Sequence, residues 1–82
     1  MLKVSFTDDA LRMLVRECSR RFMYVCNPDF DFNKRRDYFE GMVDALFGCC
    51  MLLSNNWVND SSFLVDCVQH ERDYFFGGEK SE

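Results

Sequence analysis

The chain has few residues that break regular structure: one proline and four glycines among 82 residues. So low a content excludes collagen-like and linker-like chains. Long hydrophobic runs are also missing, since the longest, Ala45 to Leu53, is about half of the roughly 18–20 residues that a membrane helix needs. The first nine residues turn acidic at Asp8 and do not resemble a secretory signal. These absences predict one globular domain, residues 1–82, in the cytoplasm and without membrane contact.

Histidine occurs once and cysteine five times, an odd number that cannot pair completely within one chain. Without a signal segment, we expect free thiols in a reducing compartment, where cysteine acts as a small buried apolar residue. Structural zinc usually draws on cysteines about two to four residues apart at turns, a spacing that this chain lacks. We therefore predict no metal and no cofactor. The weak zinc candidates are Cys67, His70, Cys49 and Cys50, with Cys18 and Cys26 as further thiols.

The sequence also lacks a motif that names a reaction. Cys67 and His70 lie three positions apart on a predicted helix, where they could act as nucleophile and base. No glycine-rich turn leads into a helix beside them to form an oxyanion hole. Gly41 and Gly48 lie inside a predicted helix and Gly77 follows one, so phosphate-binding glycine loops are missing too. The sequence therefore predicts a protein that is not an enzyme.

What the chain does have is apolar bulk: 48% apolar residues and 16% aromatic ones, including nine phenylalanines. Their helical spacing predicts an all-α fold, a small three-helix bundle. We expect its helices near 8–25, 34–53 and 61–76. Leu2, Val4 and Phe6 alternate with polar residues, which predicts an extended N-terminal arm over residues 1–6. A polar tail (residues 79–82) ends the domain.

Capping residues set the expected helix ends. The caps are Thr7 for the first helix, Asp31 or Asn33 for the second, and Asp60 or Ser61 for the third. Asn27-Pro28 should end the first helix, because proline disfavours helical geometry in the residue before it. Gly77-Gly78 should stop the third helix as a glycine C-cap.

The second half of the second helix is apolar nearly all round, with Asp44 as the one charged residue. Such a helix must be covered on every side, which three helices from so short a chain can hardly do. Gly41, Ala45 and Gly48 form a stripe of small residues that permits close approach of another helix. The alternative is tight packing of this stripe within the monomer. We predict a homodimer, with this stripe and Leu52 at or near the interface.

The net charge of −4 is divided unevenly along the chain. Residues 1–36 hold eight basic and five acidic residues, a net of +3, whereas residues 37–82 hold two basic and nine acidic ones, a net of −7. This division favours folding of the halves onto each other or onto a second copy. Arg12, Arg16 and Arg20 line one helix face, and Arg35 and Arg36 extend the set of candidate nucleic-acid contacts. An acidic pI near 4.9 and an acidic third helix weigh against that interpretation.

The function that these patterns favour is a non-enzymatic protein-interaction or regulatory module that acts by macromolecular binding. Large aromatics and arginine carry most interface energy, so the candidate interface residues besides the small-residue stripe and Leu52 are Phe30, Phe32, Trp57 and Phe76. The alternative for these four rings is that they close the core over its loops. Two other functions stay open: a nucleic-acid-binding regulator, and an acidic inhibitor that mimics nucleic acid. The size and composition suit a phage or mobile-element gene.

Overall fold

The computed structural model describes residues 2–77 and confirms the all-α prediction. The helices are α1 (Asp8–Tyr24), α2 (Phe32–Leu53) and α3 (Trp57–Phe76), each packed against the other two. Within residues 2–77 the only β-type pairing is an isolated bridge between Val4 and Ser54. None of the helices described is long and apolar enough to cross a membrane. The predicted polar tail, residues 79–82, lies outside the described residues.

The first two helices begin at the predicted caps. The Thr7 hydroxyl accepts a hydrogen bond from the backbone N–H of Ala10 at 3.0 Å. The Asp31 carboxylate accepts one from the N–H of Lys34 at 2.8 Å, so Asp31 rather than Asn33 caps α2. Each cap satisfies an N–H group that has no partner inside its helix and stabilises the helix by about 1 kcal/mol. Helix α1 ends one residue before the predicted boundary, and α2 begins two residues before it.

The start of α3 differs from the prediction by a full turn. The helix begins at Trp57 instead of residue 61, so neither Asp60 nor Ser61 is its cap, and Asn56 takes the N-cap position. Asp60 is buried and accepts a hydrogen bond from the Ser54 hydroxyl at 2.6 Å. The same hydroxyl accepts from the N–H of Asn56 at 3.0 Å. Ser54 thus links the N-cap residue of α3 to Asp60 in the first turn of that helix, although no side chain caps the helix directly.

The end of α3 also departs from the expected glycine cap. Gly77 is the C-cap, and its N–H donates to the carbonyl of Asp73. Its φ of −60° is right-handed, whereas a glycine C-cap of the usual kind is left-handed. The helix therefore continues in right-handed geometry to the last described residue. Gly78, the other half of the predicted stop, lies outside the described residues.

The core lies along the axis where the three helices meet. Leu11, Phe39 and Leu64 are completely buried, one from each helix. Phe39 also meets Phe76 edge-on, with ring centroids 5.5 Å apart. Full burial of side chains of this kind stabilises a fold by about 1.5–3 kcal/mol each. Each helix therefore contributes a large side chain to one shared apolar centre.

The residues before α1 are tied to the connection between α2 and α3. The N–H of Val4 donates to the carbonyl of Leu53 at 2.6 Å, and the N–H of Asn55 donates to the carbonyl of Val4 at 3.1 Å. The Asn55 side-chain amide donates to the Ser5 hydroxyl at 2.6 Å. The partner of this segment is therefore a loop of the same chain, which places Phe6 over the ends of α1 and α2.

Candidate functional site

An apolar groove runs between α1 and α2. Its volume is about 740 Å³, and its lining comes from one face of each helix and from Phe6. The residues that line it are Phe6, Leu14, Cys18, Arg21, Phe22, Val25, Met42, Ala45, Leu46, Cys49, Cys50 and Leu53. Arg21 is the one charged residue among them, and it is paired with Glu17 across one helical turn at 3.2 Å. Grooves of this size and apolarity are typical of binding sites.

Small side chains explain why the groove is not filled. Ala45 and Cys49 of α2 face Cys18 of α1 across it, where larger residues would close the gap. Burial is the main factor that raises the pKa of the Cys18 and Cys50 thiols. Since the thiolate is the reactive form, these thiols are poor nucleophiles at neutral pH. The lining of the groove is therefore suited to apolar contact.

The small-residue stripe of α2 lies beside the groove and faces outward. A Cβ atom built on Gly41 or Gly48 would meet nothing within 4 Å, and Ala45 is exposed. Leu52, on the same stripe, is 55% exposed. The alternative of tight packing within the monomer is therefore wrong. We call Gly41, Ala45, Gly48 and Leu52 the α2 stripe, and the stripe together with the groove the apolar face.

The apolar middle of α2 is only partly covered by the rest of the chain. Leu46 and Cys50 are buried and Phe47 is half-buried, but Leu53 is exposed. Two more exposed apolar side chains, Met51 and Leu52, lie beside Leu53 at the end of the helix. One copy of the chain therefore leaves a large part of this helix open to solvent, as the sequence predicts.

The four aromatic residues predicted at the interface pack inward. Phe76 is 4% exposed, and Phe30, Phe32 and Trp57 are half-buried against the core. Phe32 meets Phe76 edge-on with 5.8 Å between centroids, and Trp57 meets Phe47 edge-on at 6.0 Å. These contacts are those of the core-closing alternative. A partner contact for these rings stays a prediction, and the accessible apolar surface lies on the apolar face instead.

Three arginines of α1, namely Arg12, Arg16 and Arg20, face α3. Arg20 donates to the buried carboxylate of Glu71 at 3.2 Å, and its guanidinium lies 4.2 Å from the centre of the Tyr74 ring. Arg12 lies 5.4 Å from the Phe63 ring centre and pairs with Asp9 at 2.8 Å. The Arg20–Glu71 pair joins the basic and acidic halves of the sequence, as their charge difference predicts.

The remaining candidate nucleic-acid contacts do not share one face. Arg16 lies between Arg12 and Arg20 on α1, and its side chain makes no hydrogen bond, ion pair or ring contact with any of residues 2–77. Arg35 lies over the Phe76 ring at 5.8 Å, and Arg36 lies over the Phe32 ring at 5.9 Å. Four of the five arginines are therefore engaged with residues of their own chain.

The zinc candidates are not assembled into a site. Cys67 and His70 lie on α3 beside the α1 arginines, whereas Cys49 and Cys50 lie on α2. Within the part of the chain that the structure describes, no group of three or more His, Cys, Asp or Glu residues is arranged to hold a metal ion. Burial raises the pKa of the Cys67 thiol, and nearby Arg12 only partly opposes this. A nucleophilic cysteine needs the opposite shift.

Sequence reasoning missed the groove, although part of its signal was present. The helical spacing of Leu11, Leu14, Val15, Cys18 and Phe22 predicts a single apolar face on α1, yet α1 presents two faces, one to α3 and one to α2. Phe22 and Val25, which are exposed and line the groove near the end of α1, belong to the second face. Comparison with protein-family models, with curated proteins and with solved structures gives no match.

Proposed function

We propose that the chain is a non-enzymatic interaction module that acts by macromolecular binding and that it works as a homodimer. The observation that carries the proposal is the α2 stripe, which faces open space and continues into an apolar groove. Contiguous exposed apolar surface of this kind marks an interaction site.

A second copy of the chain is the occupant that the α2 stripe fits. Its residues are spaced four, three and four positions apart, so the spacing is the same read in either direction along the helix. In an antiparallel pair centred between residues 46 and 47, Gly41 lies opposite Leu52, and Ala45 lies opposite Gly48. Each of these contacts then occurs twice, as two-fold symmetry requires, and the large Leu52 side chain meets a glycine that leaves room for it. Spacings of three and four also suit helix pairs in coiled coils.

The measurement that tests the dimer is the mass in solution, by light scattering or analytical ultracentrifugation at micromolar concentration. We expect twice 9.8 kDa for the wild type and a single protomer for Leu52→Arg, because a buried unpaired guanidinium is costly. Val65→Arg is the matched control, since Val65 is 54% exposed on α3 and Leu52 is 55% exposed on α2. A wild-type mass near 9.8 kDa, or equal masses for the two variants, contradicts the proposal.

The raised pKa of the Cys67 thiol weakens the one catalytic pair that the sequence offers, Cys67 with His70. The phage or mobile-element origin, the cytoplasmic location and the extended arm over residues 1–6 stay proposals from sequence composition and patterning. The acidic inhibitor has no specific contact in its favour. For the nucleic-acid regulator, four of the five candidate arginines contact residues of their own chain. Tracking a phosphate backbone draws on several free cations.

A further inference from the structure

Two cysteines that line the groove belong to different helices, Cys18 to α1 and Cys49 to α2. Both are free thiols, and Cys18 is half-buried whereas Cys49 is exposed. We propose that a peroxide joins these two thiols in a disulfide within one chain, and that this bond closes the groove to apolar ligands. The proposal does not depend on the dimer, because both thiols belong to the same protomer.

The fold brings the two thiols close to each other. Helix α1 packs directly on α2, and both thiols lie in the wall of the same groove. Burial is the main factor that raises the pKa of Cys18, and Glu17 and Cys49 raise it further. A charge has this effect on a neighbouring group only over a short distance. A disulfide joins Cβ atoms about 3.5–4.5 Å apart, so its formation draws the two helices together across the unfilled groove.

Exposure and helix geometry decide which thiols react. Cys49 is exposed to a dissolved oxidant, whereas Cys50 is buried. These two are neighbours on one helix, where successive side chains point about 100° apart, so they are a poor pair for bridging each other. Cys67 lies on α3 and does not line the groove. Cys18 is therefore the thiol that can react with an oxidised Cys49.

The reaction takes two steps and consumes one molecule of hydrogen peroxide. The Cys49 thiolate attacks a peroxide oxygen, the O–O bond breaks, and the products are a sulfenic acid and a hydroxide that takes up the thiol proton to form water. The Cys18 thiolate then attacks the sulfenic sulfur, the S–S bond forms, and a second water leaves. Because burial raises the pKa of Cys18, the second step is slow at neutral pH and accelerates as the pH rises.

The disulfide divides the groove into two parts. Cys18 lies one helical turn from Leu14 on one side and from Phe22 on the other, and all three line the groove. A bond at this level leaves no continuous space for an elongated apolar ligand. In a reducing compartment such a bond is transient, as redox-sensing disulfides are, so reduction by a dithiol reopens the groove.

The test is oxidation of the full-length chain with hydrogen peroxide at about pH 8.5, near the ordinary pKa of a thiol. Digestion without reductant and mass spectrometry should then give one peptide pair linked through Cys18 and Cys49, lighter by two hydrogen atoms. The oxidised chain should still run as a single protomer on a denaturing gel. Anilinonaphthalene sulfonate, a dye that binds exposed apolar surface, should lose fluorescence on oxidation and regain it with dithiothreitol.

Cys49→Ser should abolish the link and make the dye signal insensitive to peroxide. Cys67→Ser is the matched control, because Cys67 is half-buried like Cys18 but lies outside the groove, and it should form the link as the wild type does. The proposal is overturned if the wild type lacks the Cys18–Cys49 pair, if Cys49 links to Cys50 or to a second chain, or if the dye signal ignores the bond. A monomeric chain that forms the bond contradicts the dimer alone, so the two proposals fail separately.

Discussion

Replacing both helical glycines of the α2 stripe by alanine should have opposite effects on the protomer and on the dimer. Gly41 and Gly48 lie inside α2, and neither has the positive φ that would require glycine. Alanine at either position places its methyl group in open space. The structure of the protomer therefore gives no reason for these glycines, which destabilise a helix relative to alanine. A reason would exist if another helix packed on them.

The expected gain in the free energy of unfolding follows from helix propensity alone, because the added methyl groups make no packing contacts within the protomer. Each Gly→Ala change in a helix interior stabilises by about 0.8–1.0 kcal/mol. The double variant Gly41→Ala/Gly48→Ala should therefore gain about 1.5–2 kcal/mol. For a domain of this size that corresponds to a rise in Tm of roughly 6–16 °C. The reverse change at the exposed neighbour, Ala45→Gly, should lose about 1 kcal/mol and serves as the matched control.

The assay is unfolding followed by circular dichroism, at a concentration low enough for the protomer to predominate, together with sedimentation at higher concentration. The double variant should unfold at a higher temperature than the wild type, yet dimerise more weakly, because two added methyl groups keep the partner helix at a distance. Destabilisation in the dilute sample would show that the space beside these glycines is filled within the protomer. Unchanged dimer affinity would show that the α2 stripe does not form the dimer interface.

Two further predictions concern ion pairs between helices. Arg72 donates to both carboxylate oxygens of Glu40, at 2.7 and 2.9 Å, and these hydrogen bonds hold the pKa of Glu40 below its ordinary value. The pair therefore stabilises the fold above the ordinary pKa, and the contribution is lost as the pH falls through the lowered one. Glu40→Gln should cost about 0.5–1 kcal/mol near pH 7, since Glu40 is partly exposed, and nothing at strongly acidic pH. If urea unfolding shows the same loss of stability for Glu40→Gln at neutral and at strongly acidic pH, the prediction is wrong. Glu71→Ala should cost more, about 2–3 kcal/mol, because it removes a buried acceptor of both Ser19 and Arg20. Glu71→Gln should recover part of that loss, and equal unfolding midpoints for Glu71→Ala and the wild type would show that the pair contributes nothing.

Local signals predicted the helices well where the cap lies next to the helix in sequence. Thr7 and Asp31 are of this kind, and α1 and α2 begin at or close to their expected residues. Helix α3 is the exception. Its first turn is stabilised by Ser54, Asp60 and the edge-on contact of Trp57 with Phe47, contacts that exist only once α2 and α3 are packed together.

The candidate sites were less predictable because they depend on which faces the helices share. The sequence shows an arginine row and a small-residue stripe, but not that the row faces α3 or that the stripe faces solvent. Arg12 and Arg20 look free in sequence and are engaged in the structure. Conversely, Leu14 and Cys18 look like ordinary core residues, yet both line the groove. Periodicity assigns a residue to a face, and only tertiary packing decides what that face meets.

The hydrogen bonds around Val4 have a consequence for the order of folding. They join backbone groups about fifty positions apart, at the chain start and at the α2–α3 connection. Closing so long a loop is entropically unfavourable until intervening segments are compact. The chain start is therefore expected to dock last, after the bundle has formed, and to detach first when the fold loosens. Its departure would widen the mouth of the groove at Phe6 without requiring any helix to melt.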